Sequence, residues 1–130
     1  MDLLDIYKCN ICGNIVEIIH SGGGELVCCS EPMEKLKEQT NEDMNLEKHL
    51  PVIEKEGENV KIKVGKIPHP MTLEHHIEFI EAMSEDKKYM KRKFLHPEEE
   101  PILEFKCNCD KIIAREYCNI HGLWKEQKND

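Results

Sequence analysis

Cys118 and His121 stand three residues apart in Glu116-Tyr117-Cys118-Asn119-Ile120-His121-Gly122. At that spacing, a turn after a strand aims a thiolate and an imidazole at one point. The pair suits a borderline first-row metal such as iron, copper or zinc. Cys and His meet in many cores without a metal, so the pair gains force from other imidazoles. His49, His69 and His75 supply them, each in a short punctuated segment upstream. Pro51 restrains the backbone just after His49, and Pro68 and Pro70 bracket and pre-order His69. A second donor set opens the chain. Cys9-Asn10-Ile11-Cys12-Gly13 is a metal knuckle, in which a turn points two sulfurs at one centre and the glycine relieves crowding behind them. The adjacent pair Cys28-Cys29 follows after fifteen residues. Four thiolates in a tetrahedron fit zinc or a single iron. A zinc ribbon would use a second Cys-x-x-Cys, so the adjacent pair favours iron.

These donors need elements to hold them. Asn14 to His20 reads as a strand, Ser21-Gly22-Gly23-Gly24 as a turn and Glu25-Leu26-Val27 as a returning strand, a hairpin that brings the two cysteine pairs together. From Glu31 to Met44 the chain turns polar and charged and reads as a linker, with a boundary near Gln39. Val52-Ile53-Glu54-Lys55 and Val60-Lys61-Ile62-Lys63-Val64 flank Glu56-Gly57-Glu58-Asn59 as a hairpin, the second run alternating apolar and basic. Leu73, His75, Ile77 and Phe79 fall on one face of a strand, and Glu74, His76 and Glu78 on the other. His75 therefore points with the apolar set, whereas His76 reads as exposed. Lys87 to Lys93 is a basic run answered by Glu98-Glu99-Glu100, which fits a solvated hairpin better than a nucleic-acid site, and His96 in that loop reads as exposed. Leu103, Phe105 and Cys107 alternate along a further strand whose turn holds Cys109, giving one packed and one exposed thiol. Ile112 to Tyr117 is the strand that delivers Cys118 and His121. Beyond Gln39 the chain shows six or seven strands, short turns and no long helical pattern, the signature of a small antiparallel β-sandwich.

Length and composition bound the possibilities. The 130 residues allow one ordinary domain, or a small one followed by a medium one. A segment of fewer than roughly 40 residues rarely holds a fold without metal or association. No apolar run approaches the roughly 20 residues of a membrane helix. Met1-Asp2-Leu3-Leu4-Asp5 lacks a basic leader, and seven clustered cysteines read as metal ligands in a reducing compartment, so a cytoplasmic location is expected. The net charge of -8 argues against nucleic acid or an anionic membrane as the main partner. It also means that an anionic substrate needs a local positive group.

With these motifs the chain resembles a desulfoferrodoxin, the two-centre class of superoxide reductase. The N-terminal cysteines are similar to desulforedoxin. Glu47-Lys48-His49, Pro68-His69-Pro70-Met71, His75 and the segment from Glu116 to Gly122 are similar to the superoxide reductase domain. The resemblance covers nearly the whole chain. It implies an all-β protein, with a small metal-stapled desulforedoxin-like domain over residues 1–38 and an immunoglobulin-like antiparallel β-sandwich over 39–130. It implies two irons per chain. One sits in an Fe(Cys)4 centre held by Cys9, Cys12, Cys28 and Cys29. The other sits in an Fe(His)4Cys centre held by His49, His69, His75 and His121 in a plane, with Cys118 axial. On this resemblance, five ligands are expected to leave one octahedral position for superoxide, which would take one electron and, with two protons, become hydrogen peroxide. The resemblance further implies that Lys48 supplies positive charge, that Glu47 ligates ferric iron or manages access, that an external donor such as a rubredoxin returns the electron, and that the chain forms a homodimer. The sequence departs from the family pattern at His76, where an aromatic residue is common, and in the extra Cys107 and Cys109. The rival reading is a passive iron electron-transfer protein.

Overall fold

In the computed structural model, which describes residues 1–40, 49–65 and 69–126, every regular element is a β-strand. Glu47, Lys48, Pro68 and the 41–44 end of the expected linker lie outside the described residues. No helix among the described residues is long and apolar enough to cross a membrane. The chain divides into two compact units, Met1–Lys37 and Glu38–Asp130.

In the first unit β1 (Ile6–Lys8) pairs antiparallel with β2 (Ile15–Glu17), and the cysteine knuckle is the connection between them. β3 (Val27–Cys28) pairs with β4 (Glu31–Pro32), and β5 (Glu34–Lys35) pairs with the free side of β1. Two expectations are corrected here. The strand expected over 25–27 pairs with β4 rather than with β2, so the two cysteine pairs sit on separate hairpins. The segment read as a linker from Glu31 carries β4 and β5. Its polarity reflects exposure on both strands, because a two-residue edge strand needs backbone partners more than apolar side chains. Ile6, Cys9 and Ile18 are the buried apolar side chains of this unit. So small a core explains why a metal has to staple it.

The second unit is a seven-stranded sandwich. One sheet has the order β10 (Ile102–Lys106), β7 (Asn59–Val64), β6 (Pro51–Glu56). The other has the order β12 (Gly122–Lys125), β11 (Ile112–Cys118), β8 (Ile77–Ser84), β9 (Met90–Phe94). All pairings are antiparallel, and three strands facing four is an immunoglobulin-like arrangement. The period of two does the work in β7, where Val60, Ile62 and Val64 are buried while Lys61 and Lys63 alternate between them. Those valines and the isoleucine pack with Leu103, Ile77, Ile80, Ala82, Ala114 and Cys118 in one core. Burying such side chains stabilises by about 1.5–3 kcal/mol each.

The strand expected through Leu73 and His75 begins only at Ile77. Thr72 N–H and Oγ1 both bond to the His75 carbonyl, at 2.9 Å and 3.2 Å, and this closes a turn that leaves Leu73 exposed. A hydroxyl that satisfies the backbone locally competes with strand pairing. His76, expected to be exposed, is half-buried, with its backbone N–H held by Asn119 Oδ1 at 3.0 Å. Cys107 and Cys109, expected as one packed and one exposed thiol, are both half-buried and joined as a disulfide. Their turn folds the two sulfurs to one side, which alternation along an extended strand does not foresee.

Candidate metal centres

The knuckle places Cys9 at the end of β1 and Cys12 in the following turn. Gly13 closes that turn with its N–H on the Cys9 carbonyl at 3.0 Å. Its φ of 85° is the left-handed backbone that glycine adopts without penalty. Adjacent cysteines in extended backbone point to opposite sides. Cys29 escapes this by taking φ 53°, followed by Ser30 at 64°, an outlier pair that turns both sulfurs inward. The outcome is four sulfurs within 4.8 Å of one another. Cys12 Sγ lies 3.6 Å from Cys28 Sγ, and Cys28 Sγ lies 4.0 Å from Cys29 Sγ. A tetrahedral site with metal–sulfur bonds of about 2.3 Å has edges of roughly 3.8 Å, so the sulfurs fit such an ion. The thiols compete for charge at this range. Backbone N–H groups of Cys12 and Ile11 pull the Cys9 thiol down to about 6, whereas the neighbouring Cys12, Cys28 and Cys9 push that of Cys29 up to about 12. A cation among them removes that conflict.

The second group lies in the sandwich unit. His49 precedes β6, His69 and His75 lie in the segment before β8, and Cys118 and His121 flank the turn from β11 to β12. Donor atoms of His49, His69, Cys118 and His121 lie within 4.8 Å of one another. The imidazoles form a closed circuit. Ring centroids are 4.7 Å apart for His49–His69, 4.8 Å for His69–His75, 4.9 Å for His75–His121 and 4.6 Å for His49–His121. Cys118, fully buried, comes within 3.8 Å of His121 Nδ1. Burial raises the Cys118 thiol, opposed by the backbone N–H groups of His121 and Ile120. The His121 N–H lies 3.5 Å from the sulfur. The Pro70 carbonyl accepts a hydrogen bond from His69 Nδ1 at 2.7 Å, which leaves Nε2 with the lone pair a metal needs. Four imidazoles and one thiolate are a donor set for iron.

Three residues that sequence reasoning did not single out support this turn. Trp124 stacks on His49 with centroids 4.9 Å apart and donates Nε1–H to the His121 carbonyl at 3.1 Å. It is the only tryptophan of the chain, a signal within reach of the sequence. Asn119 Nδ2 donates to the Glu74 carbonyl at 3.0 Å, and its N–H bonds to the His76 carbonyl at 3.2 Å, tying the His75 segment to the Cys118 turn. Gln39 Nε2 donates to the His121 carbonyl at 2.8 Å. A Cβ at Gly122, where φ is 88°, would stand 3.1 Å from that amide nitrogen. Nothing local in the sequence marks Gln39, because its partners lie more than eighty positions away. Glu47 and Lys48 lie outside the described residues.

Two family models cover the chain, "Desulfoferrodoxin, N-terminal domain" over residues 2–36 and "Desulfoferrodoxin" over 41–127. A desulfoferrodoxin homolog of Archaeoglobus fulgidus is 51% identical over 124 residues, covering 95% of this chain and 97% of the relative. A desulfoferrodoxin of Nitratidesulfovibrio vulgaris is 51% identical over 123 residues, covering 95% of each. The crystal structure of the superoxide reductase from Treponema pallidum matches with a TM-score of 0.72 and 28% identity, over 95% of this chain and 97% of that one. The four-cysteine group and the four-histidine, one-cysteine group match the two iron centres of the desulfoferrodoxin family.

Proposed function

We propose that this chain, which belongs to the desulfoferrodoxin family, is a superoxide reductase that converts superoxide to hydrogen peroxide by one-electron reduction. The carrying observation is the closed circuit of four imidazoles with a buried cysteine beside it. The solved superoxide reductase that this chain resembles over most of its length supports the same reading.

His49, His69, His75, His121 and Cys118 would hold the catalytic iron, which supplies the electron. The division of labour follows from the residues. The imidazoles would favour the ferrous state of that iron, and the buried Cys118 sulfur would supply electron density to it. The His69 tautomer is set by the Pro70 carbonyl, and Trp124 braces His49 by stacking on its ring and His121 by a hydrogen bond to its backbone carbonyl. With five protein donors, the iron would stay open to a small substrate. Lys48 would supply the local positive charge that an anionic substrate needs on a chain of net charge -8. Glu47 would manage access to the iron or provide a further ligand to it. An external one-electron donor such as a rubredoxin restores the reduced state.

Cys9, Cys12, Cys28 and Cys29 would hold the second iron, in a domain spanning residues 1–38, with residues 39–130 forming the catalytic sandwich. The matched family regions and the two compact units support this division. Exposed Ile11, Val16, Ile19 and Val27 on the first unit support association into a homodimer. A cytoplasmic location accords with the thiol-rich metal sites.

Metal content, optical spectrum and reaction with superoxide decide the matter together. Two irons per chain, thiolate-to-iron absorption and rapid oxidation of the ferrous form by superoxide are expected. Zinc in place of iron, with no colour, would sink the reading. Two irons that exchange electrons but ignore superoxide would replace it with a passive carrier.

A further inference from the structure

We propose that Cys107 and Cys109 form a reversible two-electron dithiol–disulfide site, closed by hydrogen peroxide and reopened by a dithiol reductant. Five of the seven cysteines, Cys9, Cys12, Cys28, Cys29 and Cys118, belong to the two metal groups, and the remaining two pair with each other. As a structural staple this disulfide would achieve little. The stabilisation a cross-link provides by restricting the unfolded chain grows with the loop it closes, and here the separation is two residues. The turn is also held without it. Cys107 N–H bonds to the Glu58 carbonyl at 2.8 Å, just past the Lys106↔Asn59 pair, and Lys55 Nζ donates to the Cys109 carbonyl. These bonds keep the two Cα atoms near their 5.4 Å separation when the sulfurs are reduced, so the pair is arranged for closure in either state.

Access and chemistry favour exchange over permanence. Both residues are half-buried and line an open groove of about 480 Å³ with Met83, Tyr89, Met90 and Ile112. Cys107 packs against the edge of the core and Cys109 does not, so Cys109 is taken as the attacking thiol. The site lies at the far end of the sandwich from the histidine circuit. β11 runs from Ile112, next to the pair, to Cys118, about 20 Å away at roughly 3.3 Å per residue. A small diffusible oxidant is therefore required.

The Cys109 thiolate attacks one peroxide oxygen, the O–O bond breaks, and a sulfenic acid forms as hydroxide leaves and is protonated to water. The Cys107 thiol then attacks the sulfenic sulfur, forming the S–S bond and releasing a second water. Two thiols lose two electrons and two protons, and hydrogen peroxide is reduced to two waters. A dithiol reductant returns both electrons by exchange through a mixed disulfide. Local supply of peroxide rests on the superoxide-reductase reading, whereas the thiol chemistry does not.

The test uses the full-length, iron-loaded chain, reduced with dithiothreitol and then desalted. Stoichiometric hydrogen peroxide is added, thiols are alkylated, and the peptide containing Cys107 and Cys109 is weighed. Expected is loss of both labels on that peptide after peroxide and return of both on renewed dithiothreitol, with the iron–thiolate absorption retained. In Cys107→Ser, a sulfenic acid at Cys109 should be trapped by dimedone. The proposal is overturned if the pair keeps both labels after peroxide, or if dithiothreitol never opens the disulfide in the folded chain. A chain that closes this disulfide yet ignores superoxide overturns the reading of the previous subsection and leaves this one standing.

Discussion

Cys118 is the residue on which the proposed chemistry turns. It is the one thiolate among four imidazoles, it is fully buried, and burial raises its thiol when no metal compensates. Cys118→Ser is expected to remove superoxide reduction by more than the roughly 10–100-fold that loss of a mere supporting partner costs. Absorption of the four-cysteine centre should persist. Retained turnover, followed by oxidation of the ferrous enzyme with superoxide, would reject the assignment. Lys48 acts by charge instead of ligation. Electrostatic steering raises association rates by roughly 10–1,000-fold and weakens as salt screens it. Lys48→Ala should slow the second-order reaction and blunt its salt dependence, with Lys48→Arg recovering most of the rate. Pulse radiolysis across a salt series reads both, and an unchanged rate and slope in the alanine variant would remove Lys48 from the mechanism.

Two central strands carry the site, and their packing sets its geometry. β8 and β11 run in register from Ile112↔Ser84 to Tyr117↔Phe79, then shift so that Cys118 meets Ile77. An irregularity of this kind re-aims a side chain at the end of a ladder. On the outer face of the same strands Glu81, fully buried, accepts hydrogen bonds from Arg115 at 2.7 Å and Arg92 at 2.6 Å. The carboxylate thus ties β11 and β9 to β8. Removing one partner of a buried pair costs about 3–5 kcal/mol. Arg92 still faces Glu81 in Arg115→Ala, so the lower end, about 3 kcal/mol, is expected, seen as a loss on the order of 10–20 °C in thermal midpoint. Glu81→Met with Arg115→Met removes the carboxylate and the more deeply buried of its two arginines; Arg92 loses the same contact but is partly solvated, so the double variant should recover only part of that loss. Calorimetry on both variants checks the pair, and equal destabilisation would show that packing rather than charge dominates.

At the scale of the whole molecule the chain is two units with separate ligand sets. The first has few buried apolar side chains, and four sulfurs take the place of a larger core. The second has a core of its own, from Val60 and Ile62 through to Ala114. Cys12→Ser should therefore remove the iron–thiolate colour of the first centre and loosen that unit, while superoxide reduction is largely retained. Complete loss of activity in a chain whose sandwich remains folded, as judged by circular dichroism, would show that the two centres are obligatorily coupled.

Donor chemistry, strand period and turn residues are local properties, and the sequence alone determined what depends on them. Nine Cys and His donors stand out by type and spacing, and the structure gathers those same nine into two groups. The hairpin of β6 and β7 follows from alternation around Gly57. Tertiary structure decided what depends on distant partners. Leu73 left its expected strand because Thr72 satisfied the backbone first, and Glu34 and Lys35 gained a strand because β1 offered a free edge. His76 was drawn inward by Asn119, forty-three positions away, and Gln39 reached the His121 carbonyl from the far side of the chain's numbering. Cys107 and Cys109 met because their turn, pinned by Glu58 and Lys55, brought two sulfurs to one side. Pattern records what a residue prefers for itself, whereas these contacts depend on which backbone groups remain to be satisfied once the strands have packed.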